Sequence, residues 1–145
     1  MDLTEIPAGG QLPGGLAQNE IARAVTDATR ELYRSAGFQP PWISYLTVRD
    51  SIAVGTCAFK SPPLYSRVEI AYFTFPEHEG PGIATWMASR LTTLAREADP
   101  SVTVTAQTLP HENASTAILR KTGFQQTGTI EHPEDGPVWE WEFVD

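Results

Sequence analysis

The spacing of hydrophobic residues divides the chain into helices and strands. Apolar residues three and four positions apart predict amphipathic helices over 19–36 and 83–98, and a shorter helix is predicted over 115–122. The stripe of the first helix is Ile21, Val25, Ala28, Leu32 and Ala36, and that of the second is Ile83, Met87, Leu91, Leu94 and Ala98. Both stripes are expected to face a hydrophobic core.

β-Branched and aromatic segments predict six strands between and after these helices. Segments 42–48 and 52–59 form a hairpin, 67–75 and 102–108 flank the second helix, and 125–130 pairs with 138–143 around a turn at 133–137. Glycine and proline fill much of residues 1–16, which we predict to be an N-terminal arm in which only 3–6 could form a strand.

The order of these elements predicts one α/β domain over residues 1–145, with a mixed sheet covered by helices. Hairpins imply antiparallel pairs, and the strand–helix–strand unit in the middle implies a parallel pair. A chain of 145 residues can bury a core without disulfides or metals. Its single cysteine, Cys57, excludes an internal disulfide and is expected to be a buried structural thiol.

The charge of the chain limits the partners that it is expected to bind. The net charge is −8 and the pI is about 4.8, so no basic stripe is available for nucleic acid and a cationic partner is favoured. No apolar run approaches the roughly 20 residues of a membrane span, and no signal peptide is recognised, so a cytoplasmic protein is expected. The histidines share no ligand spacing, and no metal is expected.

A glycine loop joins the predicted strand 67–75 to the helix 83–98 and predicts an anion site. The first backbone N–H groups of a helix lack intrahelical acceptors, and the helix dipole is positive there, so a loop around this end can hold a phosphate. Gly80 and Gly82 supply the backbone freedom that this needs. The dinucleotide fingerprint would require glycine at Thr85, and a P-loop would require Gly-Lys followed by Ser or Thr, so both are excluded.

Two segments resemble motifs of the GNAT superfamily of acyl-CoA N-acyltransferases. Residues 76–85, PEHEGPGIAT, resemble its pyrophosphate loop, and residues 109–124, LPHENASTAILRKTGF, resemble its later motif, in which Asn and Ser open a helix that ends in Lys-x-Gly-Phe. The resemblance covers 42–144 and is closest to the branch that acetylates ribosomal-protein N-termini and similar amines. It implies a mostly antiparallel sheet with helices on both faces, whose central parallel pair, 67–75 and 102–108, splays apart.

The same resemblance implies acetyl-CoA as cosubstrate and assigns its contacts. The pyrophosphate loop would comprise Glu79, Gly80, Pro81, Gly82, Ile83, Ala84 and Thr85. Backbone N–H groups of Phe73, Thr74 and Phe75 would polarise the thioester carbonyl, and Asn113 and Ser115 would contact CoA. Two loop residues depart from the family pattern, because Glu79 stands where Arg or Gln is usual and Pro81 lacks an amide donor.

Glu69 is the candidate base, because the reaction needs a group that deprotonates an ammonium before the amine attacks the thioester. It lies in an otherwise apolar strand, where a carboxylate is unfavourable, and it matches the strand glutamate that many GNAT members use as a base. The alternative is a cross-strand ion pair with Arg67 or Lys60.

Ser115 is the candidate acid, expected to protonate or hydrogen-bond the departing thiolate. Many family members use a tyrosine for this task at a position where this chain has Leu119, and the branch with Asn and Ser suggests the serine as its replacement. The alternative is that Ser115 or Asn113 is an ordinary helix N-cap.

Together these features predict an enzyme that moves an acetyl group from acetyl-CoA to a primary amine, on a small molecule or a peptide or protein N-terminus, by direct attack in a ternary complex. The acidic chain and Glu69 favour an acceptor that is cationic in solution. The alternatives are a CoA-binding member that has lost catalysis and a non-enzymatic α/β interaction domain. No nucleic acid or membrane partner is expected, and a homodimer is allowed.

Overall fold

The computed structural model describes residues 1–9, 12, 15–16, 19–80 and 82–145. Its elements in chain order are β1 (Asp2–Glu5), α1 (Glu20–Ala36), β2 (Ser44–Arg49), β3 (Ile52–Phe59), β4 (Arg67–Thr74), α2 (Ile83–Ala98), β5 (Thr103–Thr108), α3 (Ala114–Lys121), β6 (Phe124–His132) and β7 (Gly136–Phe143). The three helices and six strands expected from the sequence are confirmed, and β1 is added to them. No helix within the described ranges is long and apolar enough to cross a membrane.

The strands form one sheet in the order β1-β2-β3-β4-β5-β7-β6, in which β4 and β5 are the parallel pair. Their pairing covers three positions only, Arg67 with Thr103, Val68 with Val104 and Glu69 with Thr105. Beyond Glu69, β4 runs on to Thr74 and β5 to Thr108 without pairing to each other. The splayed parallel pair is therefore confirmed, and its vertex is at Glu69.

Helices cover both faces of the sheet, as expected. Thr56 and Ala58 of β3 line a cleft with α1, and a Cβ atom on Gly55 would lie 3.3 Å from the side chain of Met87 in α2. Because neighbouring residues of a strand point to opposite faces, α1 and α2 lie on opposite sides of β3. The third helix, α3, packs beside α2.

The beginning of the predicted N-terminal arm is an edge strand, Asp2–Glu5, which overlaps the part of the arm at 3–6 that could form one. Asp2–Glu5 pairs antiparallel with β2, and the buried Ile6 donates its N–H to the carbonyl of Ser44 at 3.0 Å. The glycine and proline punctuation starts only at Pro7, so residues 2–6 are free to complete the open sheet edge. The parts of the predicted arm at 10–11 and 13–14 lie outside the described residues.

Helix α1 buries a different face from the predicted stripe. Its buried residues are Ala22, Thr26, Thr29 and Tyr33, whereas Ala28 is exposed and Val25 and Leu32 are half-buried. The polar side chains can be buried because they find partners: the Thr26 hydroxyl donates to the Ala22 carbonyl at 2.8 Å. The Tyr33 hydroxyl donates to the Ile6 carbonyl at 2.7 Å and accepts from the Ser44 N–H at 3.1 Å. Three residues of the predicted apolar stripe, Val25, Ala28 and Leu32, line a cleft instead.

Candidate active site

The glycine loop adopts the conformation that an anion site at the start of α2 requires. Gly80 and Gly82 have φ angles of 153° and 107°, a region that favours glycine. Gly82 is the N-cap of α2, without a side-chain capping bond, and its carbonyl accepts the first helical bond from Trp86 N at 2.8 Å. The amides of Ile83, Ala84 and Thr85 are thus left without an intrahelical acceptor, so they can bind a phosphate.

A cavity of about 340 Å³ lies between this loop and α3. Gly80, Gly82, Ala84 and Thr85 line one side, and Ala114, Ala117, Ile118 and Lys121 line the other. The small side chains of Ala114 and Ala117 leave room for a ligand. Lys121 supplies a cation that was not predicted at this site from the sequence. The only signal for it in the sequence was its place in the Lys-x-Gly-Phe end of the helix.

Glu79, which departs from the family pattern, is exposed and does not line this cavity. Its charge therefore acts on a bound phosphate from outside and is screened by solvent. Pro81, the other departure, lies outside the described residues. The structure thus gives the loop free amides and one cation, which is the donor set that a pyrophosphate needs.

A second cavity, of about 120 Å³, lies where β4 and β5 part. Its lining includes Glu69, Ser115, Lys60, Tyr72 and Gln107. The fold therefore brings together the two residues predicted as base and acid, which come from a strand and a helix that are far apart in the chain. Gln107 and Tyr72 belong to no motif, so no signal in the sequence indicated that they lie at this site.

Glu69 combines features of both of its predicted roles. Its side chain is 23% exposed, and its Oε2 atom lies 2.6 Å from Lys60 Nζ, which identifies Lys60 as the ion-pair partner. Arg67 pairs instead with Glu140 at 3.2 Å and with Glu142 at 3.0 Å. The contact with Lys60 lacks hydrogen-bond geometry, and the buried Oε2 has no other hydrogen-bond donor among the described residues. This oxygen can still accept a hydrogen bond from an arriving ammonium.

Beyond Glu69, a gap separates β4 from β5. The β4 amides that face this gap differ from the predicted set. Phe75 N–H donates to the Val54 carbonyl at 2.9 Å, and the Glu69 carbonyl accepts from Lys60 N–H at 2.9 Å, so residues at this phase bond to β3. Because donors alternate along an antiparallel strand, Phe73 N–H also points to β3, whereas the amides of Tyr72 and Thr74 face the gap. Of the predicted residues Phe73, Thr74 and Phe75, only Thr74 thus directs its amide into the gap, and Tyr72 does so as well.

The start of α3 assigns the capping role to Asn113. Its Oδ1 accepts from Thr116 N–H at 3.0 Å, and the Thr116 hydroxyl accepts from Asn113 N–H at 2.9 Å, which forms a capping box. Ser115 is the second residue of the helix, and its hydroxyl makes no hydrogen bond with the described part of the chain. It is thus available to a ligand, whereas Leu119, at the position of the family tyrosine, is fully buried.

The site thus combines a split parallel strand pair, a glycine loop that caps a helix, and a carboxylate at the vertex of the split. A family model described as the acetyltransferase (GNAT) domain matches residues 9–125. The chain belongs to the GNAT acetyltransferase family, which confirms the resemblance seen in the sequence. A search of curated proteins by sequence found no match.

Several solved acetyltransferases share the fold. A variant of the spermidine N-acetyltransferase from Vibrio cholerae is 14% identical with a TM-score of 0.67, covering 82% of this chain and 75% of that one. A ribosomal L7/L12 alpha-N-protein acetyltransferase in complex with coenzyme A is 17% identical with a TM-score of 0.66, covering 86% and 72%. The aminoglycoside acetyltransferase AAC(6')-Ib, in complex with paromomycin and acetyl-CoA, is 19% identical with a TM-score of 0.59, covering 70% and 64%. At these identities the likeness shows the fold alone.

Proposed function

We propose that this protein is an N-acetyltransferase that moves an acetyl group from acetyl-CoA to a primary amine by direct attack in a ternary complex. The observation that carries the proposal is the parting of β4 and β5 at Glu69, which opens a cavity with a carboxylate and the hydroxyl of Ser115 on its wall. The cosubstrate and the acceptor would meet in this cavity.

The residues present suit acetyl-CoA along the whole length of the site. The loop amides and Lys121 would hold the pyrophosphate. The unpaired edge of β4 from Thr74 back to Glu69 spans five residues, or about 17 Å, and offers the Tyr72 and Thr74 amides to an extended amide-containing arm. Such an arm would deliver a thioester to the vertex of the split.

At the vertex, each residue would have one task. Glu69 would accept the proton of the acceptor ammonium, so that a neutral amine can attack the carbonyl carbon. The Tyr72 or Thr74 amide would donate to the carbonyl oxygen as negative charge develops on it. A C–N bond forms and the C–S bond breaks, while Ser115 would hydrogen-bond the departing thiolate. The nitrogen loses its second proton as the amide forms, and this proton would pass through the Ser115 hydroxyl to the sulfur, which ends as a thiol. The first proton would leave Glu69 to solvent. Lys60 would have to release Glu69 as the acceptor ammonium arrives.

The test has two stages. Calorimetry should show that CoA binds, and free thiol should then be released from acetyl-CoA only when a primary amine is present. Mass spectrometry of the protein after incubation with acetyl-CoA alone should show no acetyl adduct on Ser115, as expected for a ternary complex. Absence of CoA binding would overturn the proposal. Binding without amine-dependent thiol release would instead identify a CoA-binding member that has lost catalysis.

A further inference from the structure

An apolar cleft of about 280 Å³ lies between α1 and the sheet, on the side opposite α2. The helix contributes Val25, Ala28 and Leu32, which belong to the stripe that sequence analysis expected to find in the core. The sheet contributes Ala71 and the ring of Phe73, which is 49% exposed. Large apolar side chains are thus left facing an open space instead of being buried, which is typical of a ligand site.

The cleft adjoins the cavity at the vertex of the split. Ala71 and Tyr72 line both spaces. Because side chains alternate along a strand, Glu69, Ala71 and Phe73 point to the same face of β4, and Glu69 precedes Ala71 by about 7 Å. A molecule whose amine contacts Glu69 can therefore extend its body into the cleft.

None of the described residues that line the cleft carries a charge that could bind a second cation. Burial raises the pKa of Cys57 and of Tyr72 to about 12, so these two lining residues are neutral at physiological pH, and the other lining residues do not ionise. The nearby carboxylates on the same face, Glu140 and Glu142, share Arg67 as their ion-pair partner, and neither lines the cleft. A polyamine or an aminoglycoside would have to place further charges on this apolar wall, at a large desolvation cost.

We propose that the acceptor is a primary amine with a small apolar body, an alkylamine or aryl-alkylamine, whose body occupies this cleft while its amine contacts Glu69. The inference rests on the proposed function and names the substrate class for it. The volume is suitable, since a cavity of about 150 Å³ in another protein holds benzene and this one is roughly twice as large. The ammonium is the one cation of such a substrate, and Glu69 is the one carboxylate at the vertex cavity among the described residues.

The first test uses the native protein and a series of linear primary amines from ethylamine to octylamine, with phenethylamine and spermidine for comparison. At saturating acetyl-CoA, kcat/KM should rise about fourfold for each methylene that enters the cleft and then level off as the cleft fills. Phenethylamine should be acetylated better than spermidine. A kcat/KM that is independent of chain length, or a preference for spermidine, would overturn the inference.

The second test fills the cleft from α1. Ala28→Phe should lower kcat/KM for hexylamine at least about tenfold, with a smaller effect on ethylamine, because the new ring occupies the space of the longer chain. Ala24→Phe is the matched control, since Ala24 is exposed one turn earlier on the same helix and does not line the cleft. Equal effects of the two variants, or equal loss for both amines, would contradict the assignment.

The proposed function and the proposed apolar acceptor are contradicted by different results. If CoA binds and thiol is released neither with this series nor with a panel of other primary amines that includes peptide N-termini, the proposed function fails. Release with a peptide N-terminus but with no amine of the series would leave the function standing and contradict the apolar acceptor. If ethylamine and spermidine are acetylated and the chain-length dependence is absent, the function stands and only the apolar acceptor is wrong.

Discussion

Replacement of Ser115 by alanine separates a role in catalysis from a role in folding. The side chain lies in the second position of α3 and makes no hydrogen bond with the described residues, so its loss should not destabilise the helix. Alanine has the higher helix propensity, by a few tenths of a kcal/mol. The melting temperature of Ser115→Ala should therefore equal that of the native protein or exceed it slightly.

The effect on turnover should be much larger. A hydrogen bond to a charged group contributes about 1.5–3 kcal/mol, and 1.36 kcal/mol corresponds to a factor of ten in rate. Because Ser115 is only half-buried, we expect kcat to fall by roughly 10- to 100-fold, towards the lower end of that range. The KM for acetyl-CoA should change less, since the interaction strengthens only as charge develops on sulfur. Release of CoA thiol at saturating acetyl-CoA measures both quantities.

Asn113→Ala provides the reference for a lost cap. Removing its side chain breaks the capping box and should cost about 1 kcal/mol, which lowers the melting temperature by about 2–4 °C for a chain of this size. The reasoning about Ser115 would be refuted by a native kcat in Ser115→Ala. It would also be refuted by a fall in melting temperature as large as that of Asn113→Ala, which would make the serine a structural residue.

Three further predictions follow from the site and the core. Lys121→Met should weaken CoA binding by about 3- to 10-fold in calorimetry, because the lysine lines the phosphate cavity at an exposed position. Arg49→Met, which removes the same charge from the exposed end of β2, should have no comparable effect. Equal losses of affinity in the two variants would place Lys121 outside the site. Glu69→Gln should lower kcat/KM by roughly 10²- to 10⁴-fold, because it removes the base. Lys60→Met removes only the ion-pair partner and should not lower kcat/KM. Equal losses of kcat/KM in the two variants would assign Glu69 to the ion pair alone. Cys57 should resist alkylation at pH 8 until the protein unfolds, because burial raises the pKa of its thiol to about 12 and leaves very little of the reactive thiolate at pH 8. Rapid labelling of the native protein would contradict its place in the core.

The sequence alone determined the features that depend on neighbours along the chain. Periodicity located the three helices, and the strand–glycine loop–helix order predicted an anion site at the start of α2. Such signals are reliable because capping, left-handed glycine conformations and amphipathic spacing each act over a few residues. Asn113 shows this, since it caps α3 and was one of the two caps that the local sequence allowed.

The tertiary structure decided which face of each element meets a partner. The apolar stripe of α1 was expected in the core. Instead the hydroxyl of Tyr33 hydrogen-bonds to the backbone of Ile6 and Ser44 on the buried face of the helix, and Val25 and Leu32 line a cleft. Burial of a polar side chain depends on acceptors that come from distant strands, and the periodicity of the helix cannot reveal them.

Register across the sheet decided the rest of the site. The β4 amides that face the gap, and the meeting of Glu69 with Lys60 and Ser115, depend on how β4 pairs with β3 on one side and leaves β5 on the other. A shift of one residue in either pairing would turn the carboxylate to the other face, and no local motif specifies that register. The sequence therefore named the base and the acid as candidates, and only the paired sheet brought them to one cavity.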